Sequence, residues 1–153
     1  MEKILFVSGS LGLGHVLRDL AIARELRKTL GEIDIQWLAA EPASTILIQA
    51  GETLVPETDL LINDTAQAEK VAGEGKLNLL SYAFNALRAW LHNADVVKQI
   101  LRNRKYDLMI GDETYEIGMA LILKRLKLKI PFVMLYDFFG LDAMTNNPFE
   151  KIG

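Results

Sequence analysis

The chain has no cysteine, which excludes disulfides and thiolate-held zinc. This suits a reducing compartment, and a cytoplasmic location is expected. Histidine is almost as scarce, with two in 153 residues. One of the two, His15, is a candidate for proton chemistry. There is no basic excess either. The formal net charge of −3 argues against a protein that grips a nucleic-acid backbone, so no nucleic-acid partner is expected. No apolar run approaches the ~18 residues of a membrane-spanning helix. The apolar stretch after Lys3 stops at Ser8-Gly9, too soon for the core of a signal peptide. No internal repeat, low-complexity segment or shift in composition divides the chain. What remains is half hydrophobic and 24% charged, the composition of a globular chain with a real core. A single domain over residues 1–153 is expected.

The most informative stretch is Ile4-Leu5-Phe6-Val7-Ser8-Gly9-Ser10-Leu11-Gly12-Leu13-Gly14-His15. An apolar run stops at a Gly-rich turn, and a helix-period pattern follows at once. That is the strand–loop–helix opening of an α/β nucleotide-handling domain. Residues 3–8 are predicted as a buried strand. Val16, Leu20, Ala23, Leu26 and Leu30 set a helix over 16–30, with Arg18, Asp19, Arg24, Arg27 and Lys28 between them and Gly31 as its cap. Residues 33–40 form the second strand, closed by Glu41-Pro42, and a short helix runs to about Ala50. The third strand is 53–55. Residues 56–76 are acidic and Gly-containing, and are predicted as a long irregular, poorly ordered loop. A helical stretch over 77–104 is expected to restart at Asn93 or Asp95. Its stripe from Leu77 to Leu91 is read as core. Strand four covers 107–111, a helix follows from Tyr115 to Leu126, and strand five ends at Tyr136-Asp137. This alternation predicts an α/β, Rossmann-like, three-layer αβα fold with a parallel sheet in the order 3-2-1-4-5.

In such a sheet, ligands bind beyond the carboxyl ends of the strands, where the strand order reverses. Gly9 to His15, Glu41, Asp112, Glu113 and Asp137 all fall there. If strands one and four are neighbours, His15 and Asp112 face each other. An acid beside an imidazole fixes its tautomer and stabilises the imidazolium, which suits deprotonation of a hydroxyl. Plainer readings stand beside this one. The glycines may be needed only for a tight turn, His15 as a helix cap, and Asp112-Glu113 as an N-terminal cap. A dinucleotide site is a further alternative, with Glu41 on a ribose. However, Leu17 stands where the third glycine of G-x-G-x-x-G belongs. No P-loop and no G-x-S-x-G elbow is present.

Gly9-Ser10-Leu11-Gly12-Leu13-Gly14-His15, followed by Arg18-Asp19-Leu20-Ala21-Ile22-Ala23-Arg24-Glu25-Leu26, resembles the N-terminal signature of GT-B glycosyltransferases. Within them it is similar to the group of the MurG N-acetylglucosaminyltransferases and the monogalactosyldiacylglycerol synthases. Tyr106 to Asp112 and Ile130 to Val133 support the resemblance more loosely. It implies the acceptor-binding N-terminal half of an inverting enzyme, with a second half holding a UDP-type nucleotide-sugar. His15 would be the catalytic base and Asp112 its assistant. Ser10, Gly12, Leu13, Gly14, Glu113 and Asp137 would contact substrate or phosphate. No cofactor beyond the nucleotide-sugar co-substrate and no divalent metal is implied. The implied partners are that donor, an acceptor the sequence does not name, and a donor domain in cis or in trans. The resemblance leaves room for peripheral membrane association. The chain is then expected to be a fragment or one half of a split enzyme, inactive alone. The rival readings are a non-catalytic Rossmann-like binding module and part of an NAD-linked oxidoreductase.

Overall fold

The computed structural model describes residues 1–9, 13–63 and 79–136, with backbone alone over 79–86. Five strands form one parallel sheet: β1 (Glu2–Val7), β2 (Ile33–Leu38), β3 (Thr53–Leu54), β4 (Leu108–Asp112) and β5 (Phe132–Leu135). Their order is β3-β2-β1-β4-β5, as expected. Among the described residues the α-helices that connect them are α1 (Leu13–Leu30), α2 (Ala43–Gln49), α3 (Leu79–Asn103) and α4 (Tyr115–Ile122).

The apolar run Ile4–Val7 is central because both its faces are covered. Side-chain alternation splits the core in two. Ile4 and Phe6, with Ile35 and Trp37 of β2 and Ile110 of β4, pack under Val16, Leu20 and Ala23 of α1 and Ala43 and Leu47 of α2. Leu5, Val7, Leu38 and Met109 pack on the other face under Val97 and Ile100 of α3 and Ile117 and Ala120 of α4. Phe6 and Trp37 are register partners, and their rings stack with centroids 4.4 Å apart. Trp37 is wholly buried, yet its Nε1–H donates to Glu52 at 2.6 Å. Glu52 also accepts two bonds from Arg27, at 2.7 and 2.6 Å. Burial works to raise the Glu52 carboxyl pKa. The Arg27 and Trp37 hydrogen bonds and the Arg27 charge outweigh it and hold the pKa below the usual value.

Three local expectations are corrected. The helix predicted to restart at Asn93 or Asp95 is continuous. Asn93 does not cap anything. Its amide reaches across to the backbone of Ile62, accepting from the N–H at 2.9 Å and donating to the carbonyl at 3.0 Å. The start of the supposed loop is also ordered. Pro56–Leu60 is a 3-10 turn whose Glu57 pairs with Arg104 of the segment after α3 at 2.8 Å. Residues 64–76 of that loop lie outside the described residues. Finally, the helix predicted to reach Leu126 stops at Ile122. Lys124 takes a positive φ of 57°. Its N–H bonds to Leu121 O and that of Arg125 to Ala120 O, a Schellman ending with lysine where glycine is usual. Leu126 still folds back into the core.

Candidate functional site

β1 and β4 end side by side, with Val7 paired to Gly111. α1 packs on one face of the sheet and α4, which follows β4, on the other, so the strand order reverses at this edge. Gly9 ties the two strand ends together. A Cβ at Gly9 would lie 2.8 Å from the carbonyl oxygen of Asp112, so only glycine allows this approach.

The first turn of α1 lies at the same edge and holds Leu13, Gly14 and His15. The N–H groups of a first turn have no partner within the helix, and the positive end of the helix dipole lies there. His15 is therefore inside the helix rather than a cap. Ser10, Gly12 and Asp137 lie outside the described residues.

His15, Arg18 and Asp19 are spaced i, i+3 and i+4 on α1, so they share one face. That face meets Asp112, which is fully buried at the end of β4. His15 Nδ1 lies 3.1 Å from Asp112 Oδ2, and the His15 side chain keeps 16% of its surface exposed. Arg18 Nη2 donates to Asp112 Oδ1 at 2.5 Å and also lies 3.1 Å from His15 Nδ1. Nδ1 thus sits between a group that can only donate and one that, when ionised, can only accept, and their balance decides its tautomer. With the proton on Nδ1, the ring donates to Asp112 and Nε2 is the unprotonated nitrogen. His15 Nε2 is 3.6 Å from Glu113 Oε2. Glu113 is strained, with φ of 49°, and its Oε1 is buried without a partner. The capping role weighed for Asp112-Glu113 is not what the fold uses. Thr114 occupies the cap of α4, without a side-chain bond.

Sequence reasoning placed Arg18 and Asp19 among the polar positions of α1 and gave neither a role. Asp19 is fully buried. Ser8 Oγ, from the residue after β1, donates to Asp19 Oδ2 at 2.6 Å. Burial raises the Asp19 pKa to about 7. The Ser8 bond and the Arg18 charge oppose that rise, and the charge of Asp112 adds to it. A signal was available: Val16, Asp19, Leu20 and Ala23 are an i, i+3, i+4, i+7 stripe, which puts Asp19 inward. Tyr115 and Tyr136 form a tilted aromatic pair on the rim, with ring centroids 6.1 Å apart. Two other candidates have local roles. The Glu41 carboxylate accepts from Thr45 Oγ1 at 2.8 Å, and the second histidine, His92, bonds Leu60 O at 2.8 Å.

No family model matches the chain. Among curated proteins it is similar to a UDP-N-acetylglucosamine–N-acetylmuramyl-(pentapeptide) pyrophosphoryl-undecaprenol N-acetylglucosamine transferase of Coxiella burnetii. The identity is 30% over 118 residues, covering 77% of this chain and 29% of that protein. The protein of the same description from Listeria welshimeri is 28% identical over 145 residues, covering 94% of this chain and 36% of that one. The chain therefore spans about a third of the length of these relatives. Among solved structures, the glycosyltransferase SnogD from Streptomyces nogalater superposes with a TM-score of 0.56 at 24% identity, covering 88% of this chain and 33% of that one. That likeness bears on the fold. Taken with the sequence relatives and the loop-to-helix signature, it places this chain with the GT-B glycosyltransferases, as a Rossmann-like domain of their N-terminal kind.

Proposed function

We propose that this chain is the acceptor side of an inverting glycosyltransferase that uses a UDP-type nucleotide-sugar, with His15 as general base. The observation that carries the proposal is the 3.1 Å contact between a partly exposed imidazole and a fully buried carboxylate at the switch point of the sheet. The relatives are transferases named for UDP-N-acetylglucosamine, and this supports the donor class. The acceptor hydroxyl gives its proton to His15 Nε2. Its oxygen bonds to the anomeric carbon as the bond to the diphosphate breaks and that electron pair leaves with the nucleotide. Asp112 accepts from Nδ1–H and steadies the imidazolium. Arg18 balances the Asp112 charge at rest. Ser10, Gly12, Leu13 and Gly14 supply donors to phosphate at the positive end of α1. Glu113 and Asp137 are assigned to the acceptor rather than to phosphate, because a carboxylate repels a diphosphate and accepts from a hydroxyl. A donor domain, in cis or in trans, completes the site. The NAD reading lacks the third glycine of its fingerprint, because Leu17 stands in that position.

The test begins with a thermal-shift panel of UDP, UDP-sugars and NAD on the protein together with its donor domain, followed by transfer assays. His15→Ala in the complete enzyme is expected to lower kcat by ~10²–10⁴-fold with a much smaller rise in KM. Residues 1–153 alone are expected to give no turnover. A near-normal kcat for His15→Ala would remove His15 from the chemistry. Robust turnover by residues 1–153 alone would overturn the split between acceptor and donor sides.

A further inference from the structure

The mechanism above leaves Asp19 unused, although it is a fully buried acid immediately behind the working pair. Its surroundings are unusual for a carboxylate. One oxygen accepts from Ser8 and the other has no donor; Ser8 and Asp112 each follow the register pair Val7 and Gly111, so the carboxyl that Ser8 holds lies beside Asp112. Arg18, the nearby cation, is committed to Asp112 Oδ1. Two carboxylates this close cannot both ionise without cost, and one proton between them relieves it. The charged and titratable groups facing Asp19 are Arg18 and His15 on its own helix and Asp112 on β4, with Glu113 next in the chain. From β1 it receives only the Ser8 hydroxyl.

We infer that Asp19 and Asp112 form a carboxyl–carboxylate pair sharing one proton, in which Asp19 is the resting holder and positions His15 through Asp112. By keeping the proton, Asp19 donates a hydrogen bond to Asp112 and leaves it as the ionised member. An ionised Asp112 then selects the Nδ1–H tautomer of His15, the one that leaves Nε2 unprotonated. When Asp19 ionises, Asp112 loses that donor and gains a repelling neighbour. The proton affinity and tautomer balance of His15 change in consequence. Asp19 is thus a positioning residue, built into the fold beneath the base. This rests on the general-base reading of His15.

The test follows the ring nitrogens of His15 by 15N NMR between about pH 5 and 9. His92→Gln removes the other imidazole. The wild-type ring is expected to report an inflection from the acid pair near pH 7. Asp19→Asn is expected to lose that inflection, because an amide can donate to Asp112 but cannot ionise. Identical curves in wild type and Asp19→Asn would overturn the inference. Ser8→Ala supplies an independent readout should Asp19→Asn fail to fold. Removing the donor that favours ionised Asp19 must move the acid-pair inflection to higher pH, and an unmoved or lowered inflection would also overturn it. The chemical shifts report the tautomer separately. A wild-type ring without Nδ1–H would defeat the general-base reading, whereas the paired-acid inference stands or falls on the acid-pair inflection.

Discussion

Replacing Asp19 by Asn should make the protein's stability respond differently to pH, and the size of the effect follows from the site. In the unfolded chain Asp19 titrates near its ordinary value of 3.8, and in the folded chain near 7. Below the lower value it is protonated in both states and costs nothing. Between the two, the unfolded state releases a proton that the folded state keeps, so the folded state binds more protons and loses stability as pH rises. Above about 7 both states are ionised and the loss levels off. The interval is about three pH units. At about 1.4 kcal/mol per unit this gives at most about 4 kcal/mol. Asparagine has the same shape, can accept from Ser8 and can donate to Asp112, but it carries no titration. The stability of Asp19→Asn minus that of wild type should therefore rise steadily from acid to neutral pH, toward that ceiling, and then flatten. Urea denaturation of both proteins at several pH values measures the difference directly, and titrating groups remote from Asp19 cancel between the two. A difference that stays level from about pH 4 to 8 would mean that Asp19 ionises normally, and the argument from burial would be wrong.

Three further outcomes are expected. Gly9→Ala puts a methyl group 2.8 Å from the Asp112 carbonyl oxygen and should cost about 1–3 kcal/mol while displacing Asp112 from His15; unchanged stability and an unchanged His15 titration would contradict it. Glu52→Ala strands the buried Trp37 Nε1–H and unpairs Arg27, a loss of about 2–3 kcal/mol after allowing for Arg27's partial exposure. Because the folded Glu52 carboxyl is held below its usual value, wild type's advantage should be complete above the carboxylate range and fade as the solution is acidified through the lowered pKa; denaturation in acid and at neutrality checks both points. Asn93→Ala removes both bonds to Ile62 and should raise hydrogen exchange at the Ile62 amide without disturbing the helix around residue 93, whereas fraying of α3 would restore the capping role.

The sheet was legible because its determinants are local. Each strand is a short apolar run closed by Gly, Pro or an acid, and strand–helix alternation leaves few ways to wind a parallel sheet. His15 and Asp112 were legible for the same reason: topology alone carries residues 97 positions apart to one edge. The missed features depend on partners distant in sequence or on an atypical residue. Asn93 has the residue type of a helix cap, but its amide is taken by Ile62. The end of α4 lacks its glycine because Lys124 accepts the left-handed conformation. Glu57 belonged to a stretch read as an irregular loop, and its partner Arg104 lies 47 positions away. Asp19 was hidden by an assumption, that a charged letter in a helix marks the wet face. Its spacing from Val16 and Ala23 said otherwise.

The helix that carries His15, Arg18 and Asp19 is fastened at both ends. Near its start Arg18 grips Asp112, and near its finish Arg27 grips Glu52, which is itself tied to Trp37 in the sheet. A beam clamped at two points cannot roll. His15, Arg18 and Asp19 therefore keep their relative positions before any ligand arrives. The conformational freedom a ligand would otherwise have to remove from them is already gone when the domain folds. On the proposed acceptor reading, a change of acceptor calls for leaving α1 alone and recutting the surface around Tyr115 and Tyr136, where shape can change without unseating the cluster beneath.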